Sequence, residues 1–310
     1  MAEPVRISPA VRRSGMLLAV LATLLWSGNF VIARGLQGRM PPVSLAFWRW
    51  LLATLLLLPM AWKALRSDAA LIFRHKLHFF GAALTGITLF NTFIYIAGRE
   101  VPAIHLALIG TTAAPVFVLL LSYLLFRERL PLPAYLGALL CCVGLLVLLT
   151  RGNLAAVGQL RLSGGDLWIL AAALAFAVYT LLVRRRPPGI GATSYLFVNV
   201  ALGTVLLLPA YLWERSQMAA GPLWDAPAIF SVAYLALCAS AAAFLLWNEA
   251  IRRLGPARTS LFGNLIPVFS TLEAAAWLGE RITPTLLAAF AFILCGLLLA
   301  QWQPARKREA

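Results

Sequence analysis

Ten runs of about twenty apolar residues occupy most of this 310-residue chain: 16–34, 44–62, 78–98, 102–125, 133–150, 165–184, 192–213, 226–251, 256–278 and 284–302. A hydrocarbon core of about 30 Å is crossed by around 20 apolar residues in helical form, so each run is long enough to span a membrane. The connections are mostly short and carry Pro, Gly, Arg or Asp. Only those near 63–77, 151–164 and 214–225 exceed ten residues, and none leaves room for a soluble domain. Charged residues make up 12% of the chain and hydrophobic ones 62%, with a mean hydropathy of +0.86, whereas a soluble protein keeps roughly a quarter of its residues charged. The first run follows Arg12-Arg13 as a signal peptide would. No small-residue cleavage site leads from it into a soluble domain, so it reads as a first span.

The formal charge of +15 does not point to nucleic acid. The basic residues are scattered through short connections, and no polar domain carries a basic face with interleaved aromatics. Their distribution instead predicts orientation. Eighteen of the 26 Lys and Arg lie at the two termini and in the even-numbered loops, seven lie in the odd-numbered loops, and Arg49 lies inside the second span. By the positive-inside rule both termini are expected in the cytoplasm of a bacterial cell, with the chain in its inner membrane. Cys141, Cys142, Cys238 and Cys295 all fall inside apolar runs with no C-x-x-C pair, and read as small core residues rather than a metal or disulfide site.

The chain also repeats itself. Pro115-Val116-Phe117, Glu128-Arg129 and Gly144-Leu145-Leu146 recur as Pro267-Val268-Phe269, Glu280-Arg281 and Gly296-Leu297-Leu298, each at an offset of 152. At an offset of 150, Gly15 matches Gly165, Arg34 matches Arg184, Phe47 matches Phe197, Thr54 matches Thr204, and Leu56-Leu57-Leu58-Pro59 matches Leu206-Leu207-Leu208-Pro209. Two repeats are therefore expected, at 14–150 and 163–304, with five spans in each. Five is odd, so the second repeat enters the membrane upside down relative to the first. The fold expected is all-α and integral to the membrane: ten transmembrane helices as two inverted five-helix repeats. That is the architecture of secondary transporters, whose substrate site lies near the midplane between the halves.

Trp26-Ser27-Gly28-Asn29-Phe30-Val31 in the first span is similar to the W-G-x-N-F signature of EamA-type carriers of the drug/metabolite transporter superfamily. Arg49-Trp50-Leu51-Leu52-Ala53 resembles their second-span R-F-x-x-A, and the duplicated P-x-F…E-R…G resembles the end of each EamA repeat. The resemblance implies a ten-helix carrier that exports metabolites, often amino acids, from bacteria. Among its branches the chain looks closest to the YddG-type aromatic amino-acid exporters. Two departures stand out: the second half has Phe176-Ala177-Val178-Tyr179 in place of W-G-x-N-F, and Asn199 where the first half has Arg49.

Two intramembrane charges break the repeat. Arg49 lies about six residues inside the second span, and Glu273 about six residues before the matching end of the ninth. A charge in hydrocarbon needs a partner, so the two are expected to face one another or a common wet cavity, as a static ion pair or as a gating and coupling pair. Pro115 and Pro267, near the middle of the fourth and ninth spans, are expected as paired hinges or inert kinks. Mid-depth polar and aromatic residues form the candidate substrate lining: Trp26, Asn29, Asn91, Tyr95, Thr111, Thr112, Tyr179, Trp247 and Asn264. By the repeat Asn29 matches Tyr179, Tyr95 matches Trp247, and Thr112 matches Asn264. Amides and hydroxyls suit the polar end of an amphipathic substrate and rings its side chain, although Asn and Thr also bridge packed membrane helices. His105 reads as an interfacial histidine. Glu249 is expected to pair with Arg252 and Arg253, and the two Glu-Arg pairs of the repeat to be structural.

An integral membrane enzyme would need paired acids, a metal cluster or an activated nucleophile. The aspartates Asp68, Asp166 and Asp225 lie in loops or at a span's start, and no H-E-x-x-H or G-x-S-x-G motif occurs. No cofactor is expected, and no nucleotide-binding loop is present. A multiply anionic substrate would call for several buried cations, where Arg49 stands by itself. The reading is thus an exporter of aromatic or large neutral amino acids, or similar small metabolites, working by alternating access. A drug or lipophilic-cation exporter of the same superfamily is the alternative. Membrane lipid and a small-molecule substrate are the partners expected, and one chain holding both halves makes a monomer sufficient.

Overall fold

The computed structural model describes residues 8–35, 40–100, 103–127, 131–150, 152–153, 164–218, 222–278 and 283–301. The side chains of Asn29, Tyr95, His105, Thr111 and Thr112, and the pairs Glu128-Arg129 and Glu280-Arg281, lie outside the described residues.

Among the described residues there are ten helical stretches and no strand. They are α1 (Pro9–Gly35), α2 (Pro42–Arg74), α3 (76–100), α4 (Ala103–Phe126), α5 (Leu132–Leu149), α6 (Gly164–Arg184), α7 (Ala192–Ser216), α8 (Ala226–Leu254), α9 (256–278) and α10 (Pro284–Gln301). Six of them contain stretches long and apolar enough to cross a membrane, in α1, α2, α3, α6, α7 and α8; shorter apolar stretches lie in α4, α5 and α10. Large apolar side chains such as Leu55, Leu124, Leu139, Leu212, Leu237 and Leu298 are exposed on the outside of the bundle, as suits an integral membrane protein whose solvent is lipid.

Local chemistry sets the helix starts and stops. Ser8 caps α1, accepting from the Val11 amide at 3.3 Å, with Pro9 in the first turn. Asp225 caps α8 through the Ala228 amide at 3.0 Å. Gly255, at φ +87°, ends α8 in the left-handed region open to glycine, and Pro256 at once begins α9. One expected loop is absent. The 63–77 connection continues α2 to Arg74, with His75 as the only break before α3. Residues 63–74 hold no Gly or Pro and many strong helix formers, and Leu71 and Ile72 pack onto the core.

Two helix pairs organise the bundle. In the first, α2 lies antiparallel to α7: Ser44 meets Glu214, Thr54 meets Thr204, and Asp68 meets Gly191. Each helix caps the other. Pro41, at the start of α2, has no capping side chain, and Glu214 near the end of α7 serves instead. Glu214 accepts from the amides of Val43 (3.1 Å) and Ser44 (2.6 Å) and from the Ser44 hydroxyl (2.9 Å). At the other end the Gly191 amide, opening α7, donates to Asp68 Oδ2 at 3.0 Å. An acid beside a helix N-terminus satisfies orphan amides and the dipole together. In the second pair, α5 lies antiparallel to α10. Gly137 and Gly296 sit backbone to backbone, where a Cβ on either would run into the other's carbonyl, the small-residue packing that lets membrane helices approach closely. Cys141 Sγ lies 3.6 Å from the Ile293 carbonyl.

Around these pairs α1 packs on α8 and α9, and α6 packs on α3 and α4. Both α3 and α8 contain a π-helical segment, Leu84–Leu89 and Leu235–Ala242, at equivalent places in the repeat. Pro115 lies in mid-α4. Pro267 follows a 3₁₀ turn, Phe262–Asn264, in α9. Its ring cannot serve the Gly263 carbonyl four residues earlier, and the tighter turn lies where that bond is missing.

Candidate substrate site

Arg49 is buried on α2 and held from two sides. Its Nη2 donates to Asn91 Oδ1 on α3 at 2.7 Å, and its guanidinium lies over the Trp50 ring, 4.9 Å from the centroid. Asn91 is itself fixed, because its Nδ2 donates to the Ile87 carbonyl in the π segment of α3. A π segment offsets the backbone ladder and turns carbonyls towards side-chain donors, which is why such segments gather at functional sites. The other π segment does the same: the Ala239 carbonyl of α8 accepts from Trp26 Nε1 of α1 at 2.8 Å. Ile87 and Ala239 are 152 residues apart, the spacing of the repeat.

From Arg49 the site continues as aromatic side chains. The Trp50 ring meets Phe244 edge-on at 5.1 Å, and Phe244 meets Trp26 at 5.3 Å. Trp26 also touches Trp247 at 4.9 Å and Phe176 at 6.1 Å. Tyr179 joins through Phe176 and Phe244 at 5.8 and 5.9 Å. Its hydroxyl is committed to Asn248 Oδ1 at 2.9 Å, and its ring fills the space over Gly86.

The structure therefore gathers Trp26, Arg49, Asn91, Tyr179 and Trp247 into one connected group. It places Asn264 elsewhere, buried in the 3₁₀ turn of α9 beside Cys141 of α5. Of the two arrangements expected for Arg49 and Glu273, facing one another or a common wet cavity, the direct pairing does not occur. Glu273, half-buried on α9, faces α1, where its Oε1 accepts from Ser27 Oγ at 2.6 Å, while Arg49 faces α3. Equal depth in the bilayer fixes only one coordinate of a side chain; its direction around the helix axis separates these two. Glu249 does pair with Arg252 and Arg253, at 2.8 and 2.9 Å. Sequence reasoning passed over Trp50, Phe244 and Ser27 as site members. Ser27 and Trp50 stand inside motifs already singled out, whereas Phe244 is one aromatic in an apolar run and carries no signal of its own.

The model of the EamA-like transporter family matches residues 13–150 and 163–302. A protein of Salmonella typhimurium, named a probable amino-acid metabolite efflux pump, is 28% identical over 93% of this chain and 94% of its own length. One of Streptantibioticus cattleyicolor, named a probable terminal-alkyne amino-acid exporter, is 29% identical over 73% of each chain. A solved crystal structure superposes with a TM-score of 0.74 at 21% identity, covering 93% of this chain and 96% of the other, and so shares its fold.

Proposed function

Because this chain belongs to the EamA-like transporter family, we propose that it exports amino acids with aromatic or large neutral side chains by alternating access. The observation that carries this reading is the arrangement at Arg49: a buried guanidinium held by Asn91 and continuous with the rings of Trp50, Phe244, Trp26 and Trp247. A carboxylate on the guanidinium would leave the substrate's side chain among the rings. Asn29, Tyr95, Thr111 and Thr112 complete the lining in this proposal, and Asn264 with Cys141 lies behind it. The relatives named for amino-acid efflux support the substrate class.

In this reading all ten helices cross the inner membrane of a bacterium, as inverted repeats with both termini cytoplasmic, and a monomer is the working unit. Equivalent helices lying antiparallel, α2 with α7 and α5 with α10, support the inversion, and Pro115 and Pro267 are the hinges on which access alternates. A lipophilic cation is the second reading, favoured by the Glu273 carboxylate.

Proteoliposomes loaded with a panel of labelled amino acids test the proposal by efflux, with and without a pH step. Arg49→Ala removes a charge-assisted contact worth about 2 kcal/mol, roughly thirtyfold in affinity. Efflux of aromatic amino acids should fall by that order, with Arg49→Lys intermediate because it lacks the planar fork. Unimpaired efflux in Arg49→Ala, or movement of a lipophilic cation and no amino acid, would sink the reading.

A further inference from the structure

Arg184, Arg185 and Arg186 follow one another at the end of α6, and each is turned to a different neighbour. Arg184 Nη1 donates to the Arg252 carbonyl of α8 at 3.1 Å, and the Arg186 guanidinium lies 5.9 Å from the centroid of the Tyr195 ring on α7. Arg185 reaches across to α4, where its guanidinium lies over the Phe126 ring, 4.0 Å from the centroid. Phe126 is the last residue of α4 and packs on the apolar cluster that includes Leu181 of α6. The next residue, Arg127, closes α4 at φ +52°, its amide donating to the Tyr123 carbonyl at 2.9 Å. Arg127 and Arg185 are both exposed.

Neither position needs arginine for the fold. A left-handed residue closing a helix is ordinarily glycine. At the offset of 152 Arg127 matches Gly279, and at the offset of 150 Arg185 matches Gly35, so the other copy of the repeat has glycine at both places. Acids do not answer the charge. The connections after α4 and α6 bring Arg127, Arg129, Arg184, Arg185 and Arg186 together with Glu128 as their one acid. Of the nearby described acids, Glu249 is paired with Arg252 and Arg253, and Asp68 is held by the Gly191 amide. Among the described residues no carboxylate pairs with Arg127 or Arg185. A guanidinium laid on a ring keeps its N–H edge free, and so presents donors to an anion. Orientation in the membrane accounts for cations anywhere on this face, but not for one fixed on a ring beside another in a glycine's conformation.

The approach to this corner from the membrane is apolar. Val116, Leu120, Tyr123 and Leu124 are exposed on α4, and their spacing of three and four residues makes one stripe. From Val116 to Arg127 the helix rises about 16 Å, close to the roughly 15 Å of hydrocarbon in one leaflet. We propose that the end of α4 and α6 binds one anionic phospholipid of the cytoplasmic leaflet, its phosphate on Arg127 and Arg185 and an acyl chain along the stripe. A free phosphate would use the guanidiniums and leave the stripe uncovered; a lipid occupies both. The inference rests on the crossing and orientation of α4 proposed above, and it is independent of what is transported.

Dioleoylphosphatidylglycerol titrated into the full-length protein in a non-ionic detergent tests this. Native mass spectrometry reads the concentration at which half of the protein carries one lipid. Arg127→Gly, which suits the left-handed backbone, and Arg185→Gln should each raise that concentration about fivefold, and the double variant roughly twentyfold. Arg74→Gln, which removes an equal charge from the exposed end of α2, should leave it unchanged. Dioleoylphosphatidylcholine should bind the wild-type protein no better than the double variant does the anionic lipid. Full affinity in the double variant would overturn the proposal. An equal loss in Arg74→Gln would do so too, by reducing the effect to net charge. Displacement of the lipid by an equal concentration of inorganic phosphate would overturn the choice of lipid as occupant. No arm reads efflux, so failure of the exporter reading would leave each of these outcomes as it stands.

Discussion

A single hydrogen atom decides the packing at Gly86. A Cβ there would overlap the ring of Tyr179, which is fully buried and tied through its hydroxyl to Asn248. The ring has nowhere to retreat, so Gly86→Ala should destabilise the protein by about 1–3 kcal/mol. The expected result is a lower thermal midpoint in detergent, with reduced transport, and Gly81→Ala, where a Cβ meets only Leu182 at 3.5 Å, serves as the tolerant control. The buried charges show what can be read from residues alone and what cannot. That Arg49 and Glu273 are exceptional is plain from their depth in apolar runs. Their partners, Asn91 and Ser27, depend on which way each helix is rotated, and two neighbouring residues on a helix point about 100° apart. A run that is apolar all round gives no amphipathic stripe from which to recover that rotation.

Between helices, the reciprocal caps of α2 and α7 deserve to be tested as a pair. Glu214→Ala would leave the Val43 and Ser44 amides buried without an acceptor, a loss of about 2–4 kcal/mol. Asp68→Ala loses one backbone amide across the interface and should cost about 1 kcal/mol. The two caps lie at opposite ends of long helices, so the double variant should show the sum of the two losses; thermal unfolding of the three variants checks this. These caps were invisible in the sequence, because the acid and the helix it caps are more than a hundred residues apart. The succession of apolar helices was legible, six of them long and apolar enough to cross a membrane, since length and hydropathy are local properties. The same locality misplaced the end of α2: residues 63–74 are too polar to count as a span, but their helix propensity and the contacts of Leu71 and Asp68 keep them helical.

At the scale of the whole molecule, two pairs of residues equated by the repeat touch one another. Thr54 and Thr204, 150 apart in sequence, bring their hydroxyl oxygens to 3.3 Å. Cys141 and Ile293, 152 apart, meet where α5 crosses α10. The duplication was visible in the sequence; that its copies meet face to face at these positions was not, because equivalence does not imply contact. With Thr54→Cys and Thr204→Cys combined, mild oxidation should form a disulfide within the chain, seen as a free-thiol loss by mass spectrometry, whereas either single variant should form none. If the two halves are related by a twofold axis, as proposed, these contacts straddle it. In an inverted repeat the two end states exchange the conformations of the halves, and a pair of equivalent residues keeps its separation under that exchange. Spin labels at Thr54 and Thr204 should therefore report one distance through the entire transport cycle, and the cross-linked protein should still turn over. The pair would then supply a fixed origin from which the travel of every other helix can be measured.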